Sequence, residues 1–338
     1  MNSPARLGGF KILKGMAGFS LLLPQVPDNL PILFCRSIAD KKINLPYITC
    51  VRVDQAWSLN ITVDTDNGLR TSLLIEENSG KLFDQASESG ILSIFPHNKN
   101  PDIVGRLFEV FGRKGVRPDA MANSPSAISV VLKDKYLSMA GDALFEPFIF
   151  SAYRTPDDWR LAQRGKEQLY KEVVASYQEQ RPKVYGLEYY HDQALVQFKI
   201  SDKDISPVGG AFKELAREGM DLTFSVTGPS GKERKKLLSF CLPVSEHSGY
   251  KKTLNKVFSE SSVEIISPVT VFSMNGPHFG DRYGIVSELL TAFERSSIDL
   301  LCLSCTIATI TGVIPSAQFE SAVLAIRSCF EVPSIIEK

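Results

Sequence analysis

Residues 192–226, DQALVQFKISDKDISPVGGAFKELAREGMDLTFSV, decide how the chain folds. An apolar run at 194–200 predicts a strand, and an amphipathic pattern at 207–218 predicts a helix after a polar turn. A second strand follows at 220–226, a third at 237–242 and a second helix at 248–258. This order of elements is the pattern from which the rest of the chain is built.

The same order recurs four times along the chain. We place unit 1 at residues 10–80, unit 2 at 90–150, unit 3 at 183–262 and unit 4 at 263–333. A charged, Gln-rich stretch at 151–182 predicts a linker helix between units 2 and 3. Short apolar strands at 10–13 and 183–187 precede each pair of units, so the chain is predicted to consist of two similar halves.

Units of this size can close as split βαβ sandwiches, in which helices cover one face of an antiparallel sheet. We therefore predict an α+β protein of four ferredoxin-like (βαββαβ) domains in two tandem pairs. The core of such a small unit is marginal. Pairing of sheets and helices between units is expected for that reason.

Composition excludes several classes of protein. The chain has 338 residues, 38 Lys and Arg against 38 Asp and Glu, and 43% hydrophobic residues. Zero net charge argues against a nucleic-acid partner, and the apolar content argues against disorder. The longest uncharged run, 300–319, contains Gly312 and Pro315 and favours paired strands over a membrane span.

The cysteines and the amino terminus favour a cytoplasmic protein. Six cysteines in apolar surroundings are predicted to be reduced and buried. The apolar stretch 16–23 ends at Pro24 without a small-residue cleavage pattern, so we expect no signal peptide. Neither a membrane nor a nucleic acid is expected as a partner.

Short motifs resemble the regulatory region of aspartate kinases. In unit 3, VYGL at 184–187, DQALV at 192–196 and GMDL at 219–222 are similar to the strands and helix end that open the first ACT domain there. PDIVGRLF at 101–108 resembles the same helix, and DRYGI at 281–285 resembles an Asp-Arg-Pro-Gly-Val loop. The resemblance implies four ACT-type domains.

Two departures limit the resemblance. Ile205 and Ser206 stand where Pro-Gly is usual, and the kinase domain with its Lys-Phe-Gly-Gly signature is absent from the sequence. The family's catalytic activity is therefore not transferred to this chain.

The sequence also contains no catalytic or metal-binding motif. GPSGKE at 228–233 lacks the spacing of a phosphate-binding loop, and the four histidines lie far apart. Cys302 and Cys305 lie three apart in a predicted strand, so they should point to opposite faces and be buried. We predict no catalytic residue, no metal, no cofactor and no enzyme activity.

The resemblance implies that a small amino-acid effector lies between paired units, bound by the first loop and the start of the second strand. A carboxylate suits the N–H groups at a helix amino terminus, and Asp or Asn can accept from an ammonium. The matching residues are Asp28, Asn29, Asn44, Asp204, Asp221, Asp281, Arg282, Gly284 and Asp299. Each is also an ordinary cap or turn residue, which is the alternative.

Unit 2 departs from this pattern because Arg117 replaces the Asn of the family's second strand. We therefore expect unit 2 to be a packing partner or to bind an acidic group.

Our hypothesis is a non-catalytic, amino-acid-binding regulatory protein whose change of packing is sensed by a catalytic protein partner. A homodimer is expected because small sheets leave unpaired edges. The alternative is an aspartate-kinase-related regulatory subunit that docks on a separate catalytic chain without binding ligand itself. A third class, an enzyme built on the same scaffold, has no supporting group of residues.

Overall fold

The computed structural model describes residues 3–24, 29–53, 56–79, 87–163, 181–230, 235–244, 263–276, 279, 282–307 and 309–337. The helices are α1 (Leu30–Asp40), α2 (Gly68–Ser79), α3 (Pro101–Lys114), α4 (Asp134–Ala143), α5 (Pro156–Gln163), α6 (Ile205–Arg217), α7 (Ile285–Arg295) and α8 (Phe319–Cys329). The mixed architecture of helices and strands is confirmed.

The strands are β1 (Ala5–Leu7), β2 (Gly9–Pro24), β3 (Tyr47–Val53), β4 (Ala56–Asp64), β5 (Ser87–Phe95), β6 (Pro118–Asn123), β7 (Ile128–Lys133), β8 (Phe148–Phe150), β9 (Gly186–Ser201), β10 (Phe224–Pro229), β11 (Lys235–Pro243), β12 (Glu264–Asn275), β13 (Cys302–Cys305), β14 (Thr309–Pro315) and β15 (Ile335–Glu337).

Twelve of these strands form a closed ring. The order is β2, β4, β3, β13, β14, β12, β9, β11, β10, β6, β7 and β5, and β5 pairs again with β2. Neighbours in the ring are antiparallel. The ring joins the halves through β3 with β13 and through β6 with β10.

This closure removes the argument for a homodimer. The outer strands of the four units, which we expected to leave unpaired edges, pair within the chain. Homodimerisation itself stays a prediction.

Two long strands each serve two units. Along β2, residues 16–24 pair with β4, while 9–13 and 16–18 pair with β5. The sequence had predicted a separate strand at 10–13, but Gly15 has φ of 72° and the register shifts between Leu13 and Met16, so one strand continues through the bulge. In β9, residues 193–201 pair with β11, and Asp192, with φ of 50°, lies just before the point where this pairing begins.

The helices lie outside the ring in two layers. In one layer α2, α1, α7 and α8 pack in that order, so units 1 and 4 share it. In the other, α3 packs on α6 and α4 on α3, so units 2 and 3 share it. The units therefore associate across the halves, a pairing that the sequence had left open.

Three apolar clusters correspond to these layers. One contains α1, α2, α7 and α8 with the strands beneath them, and a second contains α3, α4 and α6. The third fills the inside of the ring with strand residues of all four units, among them Tyr47, Ile91, Phe224 and Val271. The ring is therefore a packed core and holds both halves together.

Some predicted elements lie outside the described residues. The linker helix is described only over α5, and the predicted helix at 248–258 falls within 245–262, which the described ranges leave out. In the part of the chain that is described, no helix is both long and apolar enough to cross a membrane.

Candidate functional site

The same short pattern ends the first helix of every unit. A residue with positive φ is followed by a buried apolar residue and then a polar residue at the approach to the second strand. The four positive-φ residues are Lys42 (56°), Gly115 (67°), Gly219 (73°) and Ser297 (51°). The polar residues that follow are Asn44, Arg117, Asp221 and Asp299. Three of these four are among the predicted ligand residues, so the pattern places them at equivalent positions.

Between units 2 and 3, the charged members of this set are bound to the chain itself. The carboxylate of Asp221 lies 3.1 Å from the ammonium of Lys99, and Arg117 lies 3.5 Å from Asp202. The predicted ligand residue Asp204 is used within its own turn, where it accepts from the N–H and hydroxyl of Ser201, both at 2.7 Å. These side chains therefore stabilise the interface and the turn in the structure.

Between units 1 and 4, two predicted residues also have partners in the chain. Asp299 forms an ion pair with Arg52, and its N–H donates to Gln318 at 2.7 Å. The amide of Asn29 lies 3.5 Å from Glu294 of α7. Asp28 and Asp281 lie outside the described residues.

A cleft opens between α1 and the start of α7, and it contains the predicted residues Arg282 and Gly284. Asn44 precedes Leu45, which lines it. The lining residues are Cys35, Ile38, Leu45, Phe279, Arg282, Gly284, Ile285, Val286 and Ser287. Its inner volume of about 10 Å³ is that of about one water molecule. The cleft therefore combines an apolar floor from both units with a polar rim, formed by Arg282, Gly284 and Ser287 of unit 4.

The rim has the chemistry of an anion site. Gly284 precedes α7 with φ of 87°, in the left-handed region that favours glycine. The first N–H groups of an α-helix have no acceptor within the helix and carry partial positive charge. The guanidinium of Arg282 lies beside them and pairs with Glu288 at 3.5 Å. A small carboxylate fits this combination of donors.

The titratable groups around the cleft are neutral or paired. Burial raises the pKa of Glu288, although the nearby Arg282 opposes the shift. Burial also raises the pKa of the Cys35 thiol to about 12, so this floor residue is uncharged at neutral pH. Arg282 is therefore the cation of the described lining, and a ligand carboxylate would share it with Glu288.

Cys50, Cys241, Cys302 and Cys305 are buried as predicted, whereas Cys329, at the end of α8, is only half-buried. Cys302 packs inside the ring and Cys305 in the helix layer, on opposite faces of β13. Burial raises the pKa of both thiols. Within the described ranges, no group of three or more His, Cys, Asp or Glu side chains is arranged to hold a metal ion.

The sequence matches no family model, and no curated protein matches it. Among solved structures, the aspartate kinase from Synechocystis has a TM-score of 0.74 at 15% identity, and the likeness covers 96% of this chain and 56% of that one. The regulatory subunit of aspartate kinase from Thermus thermophilus, in its ligand-free form, is 18% identical with a TM-score of 0.38, covering 44% of this chain and 99% of its own. The structural neighbours are thus aspartate kinases and their regulatory subunits.

These comparisons confirm the resemblance to aspartate kinases at the level of the fold. They also correct one prediction. We expected this chain not to be an enzyme. The Synechocystis protein, whose structure matches 96% of this chain, is an enzyme, and this finding contradicts our expectation. This chain spans 56% of that kinase's length. The predicted lack of a kinase domain stays a prediction.

Proposed function

We propose that this chain is an amino-acid-binding regulatory part of an aspartate-kinase-type enzyme. The observation that carries the proposal is the cleft between units 1 and 4, where a helix amino terminus and Arg282 face an apolar floor. The fold shared with an aspartate kinase supports it.

We also propose that the four units are ACT-type domains of ferredoxin-like topology. The support is the strand order β5-β2-β4-β3 in unit 1, which unit 2 repeats as β2-β5-β7-β6. Units 3 and 4 repeat it as β12-β9-β11-β10 and β9-β12-β14-β13. In each unit the first strand in sequence lies between the fourth and the third strand.

In the proposed complex, the α-carboxylate of the effector binds at the amino terminus of α7 beside Arg282. Its side chain packs on Cys35, Ile38 and Leu45. Asn29 and Asn44, with Asp28 and Asp281, are the proposed partners of its ammonium. Because the inner volume is only about 10 Å³, binding must separate α1 from the start of α7. An effector that favours the wider arrangement then shifts the population of the regulatory region toward it.

A thermal-shift screen of the chain against the twenty amino acids tests the site. Ligand at about 100 times its dissociation constant stabilises the folded state by about 2.7 kcal/mol. We expect at least one selective shift, and we expect Arg282→Gln to abolish it. Arg217→Gln is the matched control, because Arg217 is exposed on α6 and pairs with Glu214 away from the cleft. A shift that survives Arg282→Gln would place the site elsewhere.

Turnover of ATP and aspartate by the purified chain tests the enzyme class. Turnover that changes with the amino acid found in the screen supports an enzyme with built-in regulation. Turnover that ignores this amino acid would contradict the regulatory role. Absence of turnover would assign the catalytic step to another part of the enzyme.

A second candidate is a regulatory subunit that docks on a catalytic chain without binding ligand. The small inner volume of the cleft and the internal ion pairs of units 2 and 3 favour it. Cross-linking or co-purification with a catalytic chain in the absence of free amino acids, together with a flat thermal-shift profile, would support this candidate over the first.

A further inference from the structure

We infer that units 2 and 3 contain a binding site for a primary ammonium, formed by Asp221 and Tyr190 of unit 3, and that the chain fills this site itself with Lys99 of unit 2. The inference does not depend on an effector between units 1 and 4.

The geometry around the Lys99 ammonium is that of a cation cage. Its Nζ lies 3.1 Å from the carboxylate of Asp221 and 4.8 Å from the centre of the Tyr190 ring. The Tyr190 side chain is 4% exposed, and its hydroxyl donates to Glu188 at 2.8 Å, which fixes the ring. A carboxylate on one side and an aromatic face within about 6 Å on the other are what an ammonium binds.

The backbone is held in a strained conformation that delivers Lys99 to this cage. Asn98 and Lys99 both have positive φ, of 52° and 56°. For residues other than glycine this left-handed conformation is unfavourable, so other contacts must maintain it. One such contact crosses the interface, where the N–H of Leu222 donates to the carbonyl of Lys99 at 2.8 Å.

The position of Lys99 is equivalent to the polar rim of the cleft in the other pair of units. Lys99 immediately precedes Asn100, the cap of α3, and Arg282 lies two residues before Gly284, the cap of α7, so both cations are in the loop that enters the first helix of their unit. Asp221 follows a positive-φ residue and a buried residue, as Asn44 does in unit 1. Between units 2 and 3, the ammonium of Lys99 thus lies at the position that corresponds to the cleft between units 1 and 4.

A second ion pair between units 2 and 3 lies at the other helix start, where unit 2 provides the strand residue and unit 3 the loop residue. Arg117 of unit 2 lies 3.5 Å from Asp202, in the loop that precedes α6. Both loop-to-strand contacts of this pair are therefore made by opposite charges from the two units. Two ion pairs of the chain thus connect units 2 and 3 at these positions.

The test empties the cage and refills it with a free ammonium. Lys99→Gly removes the side chain and adopts positive φ without steric cost. This variant lacks the ammonium that contacts Asp221 and Tyr190 in the wild type. We expect n-butylammonium chloride at high millimolar concentration to raise its melting temperature by more than it raises that of the wild type. Sodium chloride at the same ionic strength is the control for screening.

The double variant Lys99→Gly/Asp221→Asn identifies the cage as the place of rescue. We expect this variant to lose the n-butylammonium response. Equal responses in all three proteins, or no response in Lys99→Gly, would overturn the inference. If Lys99→Gly does not fold, Lys99→Asn replaces it, because Asn tolerates positive φ. The melting temperatures of Lys99→Asn, Asp221→Asn and the double variant must then be non-additive, and additive effects would overturn the inference.

Discussion

His97 is a buried histidine in the loop between β5 and α3. It is fully buried, its Nδ1 lies 3.2 Å from the carbonyl of Ser124, and burial lowers its pKa to about 4. The unfolded chain therefore binds a proton at this position near pH 6.5, while the folded chain stays neutral there until about pH 4. Protonation thus favours unfolding in that interval, and stability is lost as the pH falls through it.

We predict that His97→Gln reduces this loss. Between pH 6.5 and 4 the wild type should lose about 1.4 kcal/mol per pH unit more than the variant. Urea unfolding at a series of pH values measures the difference. Parallel pH dependences for the two proteins would contradict the assigned burial of a neutral His97.

Gly284 is the residue that fixes the turn into α7. A Cβ at this position would lie 3.7 Å from the Cβ of Ala39, so the space exists, but the φ of 87° is unfavourable for other residues. We predict that Gly284→Ala destabilises the chain by about 1 kcal/mol and weakens effector binding, measured by urea unfolding and calorimetry. Gly284→Asn, which tolerates positive φ better, should cost less. Equal stability of Gly284→Ala and wild type would be the contrary result.

The polar part of the cleft could be predicted from sequence, and the apolar part could not. Arg282 and Gly284 are visible because a charged and a flexible residue precede an amphipathic helix. Cys35, Ile38 and Leu45 look like ordinary core residues in the sequence. The partner of Asp299 is 247 positions away at Arg52. No local sequence pattern predicts this ion pair, since it forms only when units 1 and 4 associate.

The contact between α3 and α6 is determined by two glycines. A Cβ on Gly209 would lie 2.6 Å from the carbonyl oxygen of Gly105, and a Cβ on Gly105 would lie 2.6 Å from the carbonyl oxygen of Gly209. The two helices therefore touch backbone to backbone, and neither glycine can carry a side chain without separating them.

We predict opposite effects for two neighbouring glycines of α6. Gly209→Ala should destabilise the chain by about 1–3 kcal/mol because it pushes α3 away. Gly210 is exposed and its Cβ would meet nothing within 4 Å, so Gly210→Ala should stabilise the helix by about 0.5–1 kcal/mol. Chemical denaturation of both variants checks this. The same sign for both would contradict the close packing of the helices.

Periodicity predicted the first helix of unit 3 closely and the long strands poorly. The predicted helix at 207–218 corresponds to Ile205–Arg217. The predicted strand at 10–13 is part of a longer strand, Gly9–Pro24. A bulge at Gly15 changes the strand's partners without ending it, and alternation of residue types does not distinguish that case from a turn.

The closed ring makes the two halves of the molecule interdependent. Inside it, Ser58 donates to the carbonyl of Pro229 at 2.7 Å and Asn60 donates to that of Thr227 at 2.8 Å. These bonds join unit 1 to unit 3. The apolar cluster around them draws residues from all four units. Opening one half would expose this shared core, so we expect the halves to unfold together.

The two tryptophans can test this cooperativity. Trp57 belongs to unit 1, and Trp159 stacks on Phe10 at 4.6 Å beside unit 2. We predict that each single-tryptophan variant, Trp57→Phe and Trp159→Phe, shows one fluorescence transition in urea. In each variant the urea midpoint from fluorescence should equal the midpoint from circular dichroism. Separate fluorescence and dichroism midpoints within either variant would show that parts of the ring unfold independently.

We propose above all that an amino-acid effector binds between units 1 and 4. The most direct measurement is a calorimetric titration of the full chain with the amino acid that gives the largest thermal shift, repeated on Arg282→Gln and on Arg217→Gln. We predict saturable binding to the wild type and to Arg217→Gln, and no binding to Arg282→Gln. Equal binding to all three proteins, or no heat of binding from any of the twenty amino acids, would contradict it.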